Sequence, residues 1–138
     1  MQPALESLAA GFPDLIFFLI MVSAIYLGAI FVYTKFTPHN ELELVQAGNI
    51  AAAIHLSSLV LSMALPVAAC LINKFSLADV GIWTAFALIL QLFLFRTTDY
   101  IIFRGMPERI ERDEIGPALV LASFKLSGSL ILAFAIAG

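Results

Sequence analysis

Lys35 to Asn49 reads KFTPHNELELVQAGN, the first strongly polar interruption in a chain of long apolar runs. A weaker echo, RGMPERIERDEIG, runs from Arg104 to Gly116. Each polar stretch is flanked by apolar segments of about one membrane thickness, roughly 20 residues of helix. That alternation decides the fold class. Two hairpins, each bent at one of these polar elbows, account for nearly all of the 138 residues.

Working outward, the composition supports the same class. Hydrophobic residues make up 62% of the chain and charged residues 12%, with a mean hydropathy of +1.01. A soluble domain carries about a quarter charged residues, so the charge deficit marks an integral membrane protein. Four crossings use up the length and leave no room for a soluble catalytic domain. A net charge of −3 spread over loops points to no nucleic-acid partner. The one cysteine, Cys70, lies in an apolar run and reads as a small packed hydrophobe. Lys35 is the first basic residue, so the N-terminal apolar run lacks the positive flank of a cleaved signal peptide and reads as a retained helix.

The expected architecture is an all-α membrane four-helix bundle, with helices over about 14–35, 49–72, 80–103 and 115–137. The first begins at Asp14 after Pro13; the second carries Pro66; the third has a polar inner end at Arg96 and Asp99. Repeat units over about 14–72 and 80–138 are suggested by the matched plan of helix, polar loop and helix. Thr34–Pro38 aligns with Phe103–Pro107, each with a basic residue three before a proline. Such a repeat is parallel and predicts a pseudo-twofold along the membrane normal. Lys35, Arg104, Arg109 and Arg112 lie on the side of the two elbows and Lys74 alone lies opposite. The excess of Lys and Arg predicts cytoplasmic elbows and periplasmic termini.

The segment Thr37-Pro38-His39-Asn40-Glu41, with Asn49 and the alanines at 51–53 downstream, resembles the YjfL-like family of small bacterial inner-membrane proteins, known as a domain of unknown function, number 350. The resemblance covers most of the chain from about Tyr33 onward. It implies a duplicated two-helix unit in the inner membrane and brings no reaction, cofactor or catalytic residue. Gly116-Pro117 stands where the Asn-containing turn would recur, so only the first copy retains it.

Chemistry is sought among the ionisable residues inside the apolar runs, because charges are costly there. His55 lies roughly 9 Å in from Asn49, Asp99 roughly 7 Å and Arg96 about 12 Å in from Arg104, and Lys125 about 15 Å in from Ile115. The four share one band of depth. His55, Ser58 and Ser62 lie on one face of the second helix; Lys125 and Ser129 lie on one face of the fourth. Three readings stand for Lys125: an ion pair with Asp99 that fixes packing, a part in moving an ion or proton, or snorkelling along lipid. His55 reads as a hydrogen-bonded interior histidine or a proton carrier. Arg96 and Asp99, three apart, read as a salt-bridged pair.

In the first elbow, Thr37 is the expected N-cap, with Pro38 opening a short helix and Glu41 in its first turn. Leu42, Leu44 and Val45 would face away from Glu41, Glu43 and Gln46, and Gly48-Asn49 would close the turn and cap the next helix. His39 and Asn40, left without a structural task, and with them Glu41 and Asn49, are candidates for contact with a partner. Motifs for a hydrolase, a metal site, a P-loop or a dinucleotide are absent. A Ser–His or Ser–Lys pair is formally present, but serines are common in packed membrane helices. Two functions follow: an oligomer conducting an ion, proton or small solute through a vestibule lined by His55, Arg96, Asp99 and Lys125, or a non-conducting scaffold or regulatory subunit docking a partner through Lys35–Asn49. Neither is enzymatic, and neither requires a cofactor.

Overall fold

The computed structural model describes residues 1–37, 40–72, 76–102 and 104–138. Among the described residues six α-helices follow one another: α1 (Gln2–Phe36), α2 (Glu41–Gln46), α3 (Ile50–Ile72), α4 (Leu77–Thr97), α5 (Met106–Glu111) and α6 (Ile115–Ala137). Four of them, α1, α3, α4 with the turn after it, and α6, are long and apolar enough to cross a membrane. No strand occurs among the described residues. This is the all-α membrane bundle that the hydropathy implies.

The first helix starts at Gln2, well before the Asp14 start expected from sequence. Pro3 sits in the first turn, where its missing amide needs no partner. Ala4, Leu5, Leu8, Ala9 and Ala10 are strong helix formers, and Pro13 forfeits one internal hydrogen bond without ending the helix. The 35 residues span about 52 Å, more than the hydrocarbon thickness of about 30 Å. Its N-terminal half is exposed along the chain, whereas Val22, Ala29 and Tyr33 near the other end are buried.

Packing is most extensive between α3 and α6, with α1 laid against α4. Val22, Ala29, Tyr33, Leu59, Met63, Leu88 and Phe95 form the main apolar core. A second cluster holds the elbows in place: Met106 and Ile110 of α5 are buried against Ala51, Ala52, Ala118 and Leu121. The alanines leave room for a short helix between the ends of α3 and α6.

The first elbow is built differently from the sequence expectation. Thr37 is extended (φ −82°, ψ 131°), as suits the residue before a proline. Its hydroxyl donates back to the Tyr33 carbonyl at 2.9 Å, so it closes α1 instead of capping α2. Asn40 is the N-cap of α2, its side chain accepting from the Glu43 amide. Gly48 takes φ +90°, which favours glycine, and Asn49 then caps α3 by accepting from the Ala52 amide at 2.8 Å.

Asn49 also reaches the second elbow. Its amide donates to the carbonyls of Ile110 (2.8 Å) and Glu111 (3.3 Å). In return, Asp113 accepts from the Ala51 amide at 2.8 Å. The two elbows are therefore stitched together at the same end of the bundle.

Candidate functional site

Beneath the stitched elbows, five ionisable side chains from five elements form one continuous chain. Lys125 is its centre. The residue is 1% exposed, and its Nζ carries three protons that need acceptors. One lies toward the Tyr33 hydroxyl, one toward His55 Nε2 at 2.7 Å and one toward Asp99, whose Oδ1 is at 3.0 Å. The ammonium also lies over the ring of Phe95 (5.0 Å), whose negative face favours a cation.

Tyr33 donates to Asp99 Oδ2 at 2.6 Å while accepting from Lys125. His55 faces Lys125 with Nε2 and the buried Glu41 carboxylate with Nδ1. An ammonium donating to Nε2 requires that nitrogen to be an acceptor, so the ring proton is assigned to Nδ1, which donates to Glu41. The order of the chain is Asp99, Tyr33, Lys125, His55, Glu41. A carboxylate stands at each end.

Charge decides what this arrangement can do. With Lys125 cationic, both carboxylates ionised and the imidazole neutral, the five groups hold one negative charge in excess. One further proton neutralises them. Every link is at hydrogen-bonding distance, so that proton has bonded positions along the whole chain.

The Asp99 end is open. A cavity of about 360 Å³ has Tyr33, His55 and Asp99 in its depth and Arg96, Tyr100 and Arg104 nearer the surface. The Asp99 side chain is 24% exposed, against 2% for Glu41, so the chain runs from a half-open carboxylate to a closed one. Asp99 falls in a π-helical turn, Thr98–Ile102, that follows α4. Such widened turns occur mostly as single-turn features of α-helices and are frequent at functional sites.

A second polar layer lies deeper in the bundle. Gln91 Nε2 donates to Ser129 Oγ, one helical turn beyond Lys125 on α6. Ser62 Oγ and Gln91 Oε1 are buried with no hydrogen-bond partner among the described residues. Buried polar atoms in folded proteins are normally satisfied, by protein or by ordered water.

Of the residues singled out by sequence, His55, Asp99 and Lys125 come together. Arg96 does not join them: it is exposed, donates to the Phe36 carbonyl at 3.4 Å and lies on the cavity wall. The expected Arg96–Asp99 pair gives way to Asp99–Lys125, because Asp99 follows Phe95 by four residues and turns inward with it. Ser58 donates to the carbonyl of His55 at 2.7 Å within its own helix. Asn40 and Asn49 have structural tasks in the elbows, and His39 lies outside the described residues.

Glu41 is the largest correction to the loop reading. It is buried against His55 instead of presented to a partner. A signal was available: at helical spacing Glu41 shares a face with Leu44 and Val45, and those two pack onto the second apolar cluster. Tyr33 was visible only as one of several polar residues on the first helix, and nothing in its spacing linked it to Asp99. Among the described residues, no group of three or more His, Cys, Asp or Glu side chains is placed to hold a metal ion.

Fold and site together define a polytopic membrane protein with a largely buried, hydrogen-bonded chain of ionisable side chains at one end of its helix bundle. The chain belongs to the family described as Domain of Unknown Function (DUF350), which it matches over residues 7–136. It is 30% identical over 101 residues to the UPF0719 inner membrane protein YjfL of Escherichia coli (strain K12), covering 73% of this chain and 76% of that protein. The counterpart in Escherichia coli O157:H7 matches to the same extent. No solved structure matches the chain. Family and spans together make this a multi-pass inner-membrane protein.

Proposed function

We propose that the protein conducts protons, or a small cation that exchanges with them, and that Asp99, Tyr33, Lys125, His55 and Glu41 form the conducting network. The observation that carries this reading is the unbroken chain of bonded ionisable groups, with a cavity reaching its Asp99 end. Ionisable groups inside a membrane protein mark ion and proton pathways and pair with one another. A purely structural ion pair would need Lys125 and Asp99 alone; it would not need a histidine and a second carboxylate buried behind them.

The excess of Lys and Arg in the elbows orients the cavity toward the cytoplasm and the termini toward the periplasm. Gln91, Ser129, Ser62 and Thr84 continue the polar route toward the opposite side. A single four-helix chain offers little wall around such a route, so the conducting form is a homo-oligomer in the lipid bilayer. The activity is not enzymatic. The alternative, a docking subunit, draws little support from the elbow, since Asn40, Glu41 and Asn49 are engaged within the chain itself.

Purified protein in proteoliposomes under a potassium-diffusion potential, read with an internal pH dye, tests the reading. Wild type should acidify or alkalinise the lumen with the sign of the potential, and Lys125→Met should lower the rate at least tenfold at unchanged oligomer size. A wild-type protein silent to protons and to monovalent cations would overturn it.

A further inference from the structure

We propose that the cavity at the Asp99 end is a binding site for the headgroup of an anionic phospholipid, with Arg96 and Arg104 holding the phosphate. This goes beyond conduction and does not depend on it.

The cavity is large for a proton path. At about 360 Å³ it falls in the size range of small-molecule sites. Its chemistry is two-sided. Phe36, Met106, Ile110 and Leu121 give it apolar walls, and Arg96 and Arg104 give it cations. A free inorganic anion would satisfy only the arginines and leave the apolar walls against water. An amphiphile fits both, with phosphate on the guanidinium groups and the first acyl carbons along the walls.

The arginines have donors to give. Arg96 donates one N–H to the Phe36 carbonyl, and Arg104 donates its Nε proton to the Tyr100 carbonyl, each at 3.4 Å. Arg104 is further steadied over the Tyr100 ring, 5.4 Å from its centre. A guanidinium has five N–H donors in a planar fork. Among the described residues, neither group forms a salt bridge with a carboxylate. Two anchored guanidinium forks without anions suit a phosphate, which such forks bind in bidentate fashion. Among the described lining residues Asp99 is the one carboxylate, and Lys125 at 3.0 Å offsets part of the charge it turns toward the incoming phosphate.

Position agrees with chemistry. The cavity lies between the C-terminal end of α1, the π-helical turn and α5, where the apolar spans give way to the charged elbows. Headgroups occupy that level, and basic pockets between membrane helices bind them. A second concave surface, along Ile50, Ile54, Leu61 and Leu119, has no charged side chain among its described lining residues.

The test is native mass spectrometry of the detergent-solubilised full chain titrated with phosphatidylglycerol or phosphatidylcholine of equal chain length. Wild type should retain phosphatidylglycerol about tenfold better. Arg96→Gln with Arg104→Gln should reduce that preference to less than about twofold, whereas Lys35→Gln with Arg112→Gln, which removes two cations outside the cavity, should leave it intact. Arg104→Gln alone, at an exposed turn, serves if the double variant fails to fold and should lower the preference about threefold. Equal retention of both lipids by wild type, or equal loss in the two double variants, would overturn the proposal. Displacement of the lipid by glycerol 1-phosphate at matched concentration would assign the site to a free phosphate ester and overturn the lipid.

Discussion

Nζ of Lys125 lies 2.7 Å from Nε2 of His55, an ammonium group donating to an imidazole inside the apolar core. Shifting the proton across that bond turns a charged lysine and a neutral histidine into the reverse pair. The net charge of the cluster stays the same, and the displacement is small. Under the conducting reading, the proton on Nδ1 then passes to Glu41, and the histidine relays a charge that it need not store.

Glu41→Gln separates that relay from the packing around it. The glutamine carbonyl accepts from Nδ1 as the carboxylate does, and its volume is nearly the same. Stability should change by less than about 1 kcal/mol, within the ordinary worth of a single hydrogen bond. Proton flux should fall at least tenfold, because the closed end of the chain no longer takes up a proton. Thermal unfolding and liposome flux on the same preparation check both halves.

Lys125→Met should destabilise as well as silence. It leaves the Asp99 carboxylate without its cation, and breaking a buried pair costs about 3–5 kcal/mol. Asp99 opens onto the cavity, so the cost should be nearer 2 kcal/mol, that of a partly solvated charge. Adding Asp99→Asn should recover most of that loss without restoring flux. A double-mutant cycle on unfolding measures the recovery, and strict additivity of the two single variants would contradict the pairing.

The stitch between the elbows makes a structural prediction independent of function. Asn49→Ala removes an N-cap worth about 0.5–2 kcal/mol and two bonds to the α5 carbonyls at about 1 kcal/mol each. The loss should total about 2.5–4 kcal/mol and fall on both elbows at once. Hydrogen exchange should therefore rise over residues 106–114 as well as at the start of α3. Faster exchange at α3 alone would show that the Asn49 bonds to Ile110 and Glu111 carry no weight.

Hydropathy made the membrane class and the four spans readable, because about 20 apolar residues have few other uses in a chain this poor in charge. Depth along each helix was enough to bring His55, Asp99 and Lys125 to one level. Helix rotation was harder to read. Arg96 and Asp99 satisfy the three-residue spacing of a surface pair, yet the core takes Phe95 and Asp99 inward and leaves Arg96 on the cavity wall. Glu41 was hidden by its charge: an acidic residue in a polar loop looks solvated until His55 is known to lie behind it. Pro13 similarly concealed the early start of α1, since one lost hydrogen bond does not outweigh a run of strong helix formers.

The deeper polar layer gives the last prediction. Gln91 donates to Ser129, but its Oε1 is buried without a partner among the described residues, as is Ser62 Oγ. If packing were their only role, Gln91→Leu with Ser129→Ala should stabilise the bundle, because it removes the Gln91–Ser129 bond from both sides and one unsatisfied acceptor with it. A gain of about 1 kcal/mol is expected on those grounds. The conducting reading adds a second expectation, a fall in flux of at least tenfold despite the firmer fold, since the route beyond Lys125 would become apolar. Thermal unfolding with liposome flux on the double variant tests both. A more stable protein that still conducts at the wild-type rate would remove this layer from the pathway and confine the proton route to the five-residue chain.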